Sequence, residues 1–122
     1  MEYKSWLKQA KEDFEKAIIL FRNRKFDGAS FYAQQSAEKA LKAVLIKRKG
    51  KLFKIHDLVV LGLNCGVEED LLNKCKVLSQ VYSFTRYGIV GKKIPAKMFK
   101  QGDSKKHINI SKEIIEWVKK EI

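Results

Sequence analysis

Proline occurs once in these 122 residues, cysteine twice, histidine twice and glycine seven times. So little proline and glycine excludes a proline-rich linker or a collagen-type repeat. The two cysteines, Cys65 and Cys75, lie ten residues apart with no histidine near them, which excludes a zinc site of the Cys-x-x-Cys kind. They are expected to be free thiols, with Cys75 a small core residue. His56 and His107 are distant in sequence, and neither is followed by a carboxylate at i+3 or i+4. No metal ion and no cofactor is therefore expected. No apolar run approaches the ~20 residues of a membrane span. The first residues, Met1, Glu2, Tyr3 and Lys4, lack the apolar stretch of a secretory signal. The chain reads as soluble and cytoplasmic, without a membrane partner. It also lacks the phosphate-binding loop, the dinucleotide fingerprint, the His-Glu-x-x-His zinc motif and the Gly-x-Ser-x-Gly elbow, so the enzyme classes built on those motifs are excluded.

What it has instead is positive charge. The formal net charge is +12, with 26 basic residues against 14 acidic ones. Only Arg22, Arg24, Arg48 and Arg86 are arginines; the other 22 basic residues are lysines. Lysine enrichment is also a compositional signal of hyperthermophiles. Residues 39–54 hold seven cations and no acid, and residues 86–106 hold seven cations and one acid, Asp103. The remainder of the chain is then almost neutral. These two stretches are where a polyanion is drawn, provided that they fold onto a shared edge. The alternative is a solvated lysine surface that serves solubility.

With 45% apolar residues, the chain suits one domain over residues 1–122. The periodicity predicts a helix over 5–22, capped by Ser5, with a stripe of Trp6, Ala10, Phe14, Ala17, Ile18 and Phe21. After a three-residue connection, Asp27 is expected to cap a second helix. Its stripe is small at first (Ala29, Ala33, Ala37, Ala40) and then larger (Leu41, Val44, Leu45), so a neighbouring helix can approach closely at one end. A second row on this helix holds Phe31, Gln34 or Gln35, Glu38 and Lys42, a mixture that suits an interface or a pocket wall. The helix should stop near Gly50, behind the cationic run of Lys47, Arg48 and Lys49. A short helix capped by His56 or Asp57 is expected over 58–62. A fourth follows, with Glu68, Glu69 and Asp70 in its first turn and its end near Tyr87. Residues 88–102 read as a loop, and Asp103 or Ser104 as the start of a last helix with Ile110, Ile114, Trp117 and Val118 inward. The predicted fold is all-α, an up-and-down helical bundle of four longer helices plus one short one.

Two polar pairs remain as candidate sites. His56 adjoins Asp57 just past the first basic stretch; a neutral imidazole there can stack on a base or move a proton near neutral pH. Arg86 and Tyr87 stand where a helix meets the second basic stretch. Arginine suits two-pronged phosphate contacts, and tyrosine can stack on a base. Lys39 and Lys42 complete the candidate phosphate-binding set of Lys39, Lys42, His56, Arg86 and Tyr87, with Phe31, Gln34 and Glu38 as the candidate interface.

Several of these residues carry a family resemblance. Trp6, Ala10, Asp13 and Ala17 are followed by the run from Ala33 and Gln34 through Gln35, Ser36, Ala37, Glu38, Lys39, Ala40, Leu41 and Lys42 to Ala43. Then come His56, Asp57 and Leu58, and later Tyr82, Arg86 and Tyr87. This order resembles the HEPN domain, the higher eukaryote and prokaryote nucleotide-binding domain, and in particular a small stand-alone prokaryotic or archaeal member. The resemblance implies an all-α bundle that commonly forms homodimers and works with a minimal nucleotidyltransferase, often as a toxin–antitoxin pair. It also implies either nucleotide binding or metal-independent RNA cleavage. Cleaving members carry an arginine followed, after four to six residues, by a histidine. No arginine here meets that spacing; His56 falls one place too late after Arg48. Ile55 stands where a hydroxyl residue often precedes His-Asp, and Gly88 where proline often follows Arg-Tyr.

The expectation is thus a non-catalytic module that binds a nucleotide or RNA phosphate, with a nucleotidyltransferase as partner. Two alternatives stand beside it. One is an atypical metal-independent ribonuclease using His56 as base and Arg86 as phosphate stabiliser; the other is a structural homodimerisation module.

Overall fold

The computed structural model describes residues 2–87 and 94–122, with Arg86 and Tyr87 described in their backbone only. Among these residues there are six helices and no strand. They are α1 (Tyr3–Arg22), α2 (Phe26–Lys49), α3 (Leu58–Cys65), α4 (Glu69–Tyr87), α5 (Pro95–Met98) and α6 (Gln101–Glu121). The four longer helices and the short α3 match the expected bundle. The single turn α5 is an addition inside the segment read as a loop. Pro95 opens it, where a fixed φ and a missing N–H suit the first helical position.

Helix α2 is the central element and touches each of the other five. Its buried residues recur on every side and include Ala29, Ala33, Ala37, Ala40, Leu41, Val44 and Leu45. The alanines let α1 lie close, and Ala10 and Ala17 of α1 are fully buried against them. Leu58, Leu61, Leu78, Ile114 and Val118 from α3, α4 and α6 complete the core. Replacing one of these larger side chains by alanine costs about 2–5 kcal/mol.

The helix ends show where side-chain chemistry sets the boundaries. Helix α1 begins earlier than expected, because Glu2 rather than Ser5 caps it, its Oε1 accepting from Lys4 N at 3.2 Å. Helix α2 starts at Phe26, so Asp27 lies in its first turn and is not the cap. Gly50 ends α2 in the left-handed region, at φ 67°, a conformation that costs glycine little. Asp57 caps α3, its Oδ1 accepting from Val59 N at 2.8 Å. Helix α6 starts at Gln101, two residues before Asp103, whose Oδ2 reaches back to Lys100 N at 2.9 Å. Both thiols are free and buried. Among the described residues, no helix is long and apolar enough to cross a membrane.

Candidate functional site

A carboxylate lies in the middle of α2, beneath the protein surface. Glu38 is only 4% exposed and Lys42, one turn on, 5%. Lys42 Nζ donates to Glu38 Oε2 at 3.0 Å, and Gln34 Nε2 donates to Oε1 at 3.1 Å. A bare carboxylate here would carry a heavy desolvation cost, which the adjacent ammonium and amide offset. The Trp6 ring of α1 covers the Lys42 ammonium, 6.0 Å from the ring centroid.

The segment between α2 and α3 brings His56 onto this pair. Its Nδ1 lies 3.2 Å from both oxygens of Glu38. A carboxylate only accepts, so Nδ1 must carry the proton. That leaves Nε2 as the nitrogen turned to other partners, the way a second-shell carboxylate usually orients an imidazole. Unlike Glu38, the His56 side chain is 53% exposed. Gln34 uses its second N–H on the His56 carbonyl oxygen at 3.4 Å, and Gln35 holds Gln34 Oε1 at 2.7 Å. On its other side the imidazole stacks on Tyr82 of α4, with centroids 4.4 Å apart and planes 12° from parallel. Arg86 follows Tyr82 by one helical turn. The side chains of Arg86 and Tyr87 lie outside the described residues.

The other candidate residues divide. Lys42 meets His56 through their shared carboxylate, and its ammonium is committed there. Lys39, also toward α1, pairs with Asp13, itself 1% exposed and also held by Gln9 at 3.0 Å. In the row proposed as an interface, Gln34 and Glu38 are enclosed by this protomer's own side chains, and Phe31 is the half-buried member. Sequence reasoning placed Glu38 on that row but missed its role as the orienting group of His56. The spacing of Gln34, Glu38 and Lys42 was the signal available.

The described lysines at the end of α2 and those of residues 97–106 do not share an edge. Near its start, α2 meets the beginning of α6, where Ser30 bonds Ser104 and His107. Near its end, Arg48 bonds Glu121 at the close of α6, at 2.7 Å. Those contacts are about 27 Å apart along a helix that rises about 1.5 Å per residue. Lys47, Arg48, Lys49 and Lys51 therefore occupy one end of the bundle, and Lys97, Lys100, Lys105 and Lys106 the other. Several of the first group are held locally: Lys47 lies over Tyr3, and Lys49 and Lys51 over Phe53. Asp13 and Glu38 lie between the two ends. Among the described residues, no group of three or more His, Cys, Asp or Glu side chains could hold a metal ion.

The chain is thus an all-helical bundle with an exposed imidazole set on a buried α2 carboxylate. The HEPN domain model matches residues 3–122, and the chain belongs to the HEPN domain family. It is similar over 98% of its length to TT1696 from Thermus thermophilus, at 26% identity and a TM-score of 0.90, with 98% of that chain covered. It is similar over 98% of its length to ST0689, described as an archaeal HEPN homologue, at 29% identity and a TM-score of 0.84, with 97% of that chain covered. Among curated proteins none matches the chain.

Proposed function

We propose that this HEPN domain is a non-catalytic module that binds a nucleotide or an RNA phosphate at the surface formed by His56, Tyr82 and the end of α4. The observation that carries this reading is the Glu38-oriented, half-exposed imidazole stacked on Tyr82, one turn before Arg86. In this reading Arg86 takes the phosphate oxygens in two-pronged fashion and Tyr87 offers a ring to a base. Lys42 supports the site by neutralising Glu38, whereas Lys39 is committed to Asp13. Membership of the family supports a nucleotide-related role. The family also suggests a homodimer, approached at the half-buried Phe31 since Gln34 and Glu38 are buried within the chain, and a minimal nucleotidyltransferase as partner in a toxin–antitoxin arrangement.

The Glu38–His56 contact favours one second reading, a metal-independent ribonuclease. His56 Nε2 would act as general base toward a ribose hydroxyl and Arg86 would stabilise the phosphorane. Titrating ATP, GTP and a short RNA at low and at physiological salt, beside an RNA cleavage assay in chelator, separates the two. Salt-dependent binding without cleavage supports the binding module. Cleavage lost in His56→Ala supports the enzyme, and absent or salt-insensitive binding rejects a phosphate-led site.

A further inference from the structure

A cavity of about 890 Å3 opens between α4, α5 and the start of α6. Residues 77, 80, 81 and 84 of α4 line it and share one face at helical spacing, whereas Tyr82 lies round the other side of that helix. The floor is apolar, with Val81, Met98 and Phe99. Phe84 and Ile94 also line the cavity and are 46% and 48% exposed. His107 is its imidazole.

The protons around His107 can be placed by counting. Ser104 Oγ donates its only hydrogen to the Phe26 carbonyl at 2.6 Å. Ser30 Oγ lies 2.8 Å from Ser104 Oγ, so Ser30 must be the donor in that bond. Ser30 Oγ also lies 2.8 Å from His107 Nδ1. With its hydrogen already used, Ser30 accepts there, and Nδ1 carries the proton. The relay thus runs from His107 through Ser30 and Ser104 to a backbone carbonyl. Both serines are fully buried, so this arrangement has no water to exchange with. In the neutral ring Nε2 is then a lone-pair acceptor, on the side of the imidazole away from the buried serines. Burial pushes the His107 pKa below the ordinary histidine value, which favours the neutral ring.

We propose that this cavity binds a small planar aromatic molecule carrying one O–H or N–H donor, a phenol or an indole, with His107 Nε2 as its acceptor. The volume lies within the range of about 300–1,000 Å3 typical of small-molecule sites. Phe99 meets the His107 ring edge to face at 5.9 Å, giving one wall to an aromatic body. The Gln80 amide offers a second polar contact. Lys97 and Asp103 also line the cavity; the unpaired acceptor beside its apolar floor selects for a donor, because a ligand without one leaves it unsatisfied.

The test pairs phenol with anisole, and indole with N-methylindole, in titrations followed by the imidazole nitrogen resonances. The expected result is a free protein with the His107 proton on Nδ1, saturable binding of phenol and indole that moves Nε2, and binding about tenfold weaker for the methylated analogues. The His56 nitrogens should stay unmoved. His107→Phe should remove the discrimination between the members of each pair. Ser30→Ala, which frees the ring tautomer without emptying the cavity, should narrow it and serves if His107→Phe does not fold. Equal binding of phenol and anisole, no saturation by any probe, or a His107 proton on Nε2 would each overturn the proposal. Binding that weakens as protein concentration rises would assign the cavity to a side chain of a second copy and overturn it as a small-molecule site.

Discussion

Glu38 holds His56 by its Nδ1 proton, with both carboxylate oxygens 3.2 Å from that nitrogen. The carboxylate is buried and the imidazole half exposed, so a fixed group inside the bundle aims a mobile-proton group at the surface. Lys42 makes this possible, since it balances the charge that would otherwise be stranded in the core.

Breaking that balance should be costly. Glu38→Ala leaves Lys42 buried without a partner and is expected to lower unfolding stability by about 3–5 kcal/mol. The double variant Glu38→Gln with Lys42→Met should lose much less. Denaturant melts of Glu38→Gln, Lys42→Met and the double variant measure the coupling. Additive losses would show that the two side chains do not form a compensated pair.

The cysteines should be inert in the native protein. Burial pushes the Cys65 thiol up to about 11 and the Cys75 thiol up to about 12, so very little thiolate exists at neutral pH. Labelling with a thiol reagent should be slow in buffer and complete for both residues once denaturant unfolds the chain. Fast labelling of either native thiol contradicts this.

Much of the frame, though less of the site, can be read from the residues alone. The alanine stripe of α2, Gly50 at its end, Asp57 before α3 and the acids opening α4 are local signals, and each marks the element it suggests. The start of α1 is less legible, because Glu2 and Ser5 are both able to cap and only the backbone decides between them. Asp13 is an acid on α1 and yet is buried, because Lys39 arrives from α2 to pair with it. The same non-local pairing hides the site. Nothing in the spacing of Glu38 and His56 tells that the segment between α2 and α3 folds back over α2. Net charge per segment misleads for a related reason: the length of α2 carries the cations of its last turn to the far end of the bundle from those at the start of α6.

Acid should weaken the fold through His107. Its pKa is lowered in the folded protein by burial, so below the ordinary histidine value of 6.5 the unfolded chain binds the proton more readily than the native one. The contribution of His107 is therefore full above that pH and is lost as pH falls through it. Thermal melts from about pH 8 to about pH 5 should show a falling midpoint, and His107→Phe should flatten this part of the curve. An unchanged slope in the variant would assign the acid sensitivity to other groups.

The small residues of α2 set how near α1 can come. Ala37→Leu adds volume at a fully buried position and should cost about 1–3 kcal/mol by overpacking. Equilibrium unfolding in denaturant gives the value. A neutral result would mean that α1 can move aside without loss.

The phosphate-binding account centres on His56 and Arg86 acting together. Its most direct measurement is the affinity of a short RNA for the wild-type chain, His56→Ala, Arg86→Ala and the double variant, each at two salt concentrations. The account predicts weaker binding by about tenfold or more for each single variant, as for a charge-assisted contact, with non-additive loss in the double variant and a shallower salt dependence in Arg86→Ala. Binding that is the same in all four proteins would contradict it and move the RNA contact elsewhere on the bundle.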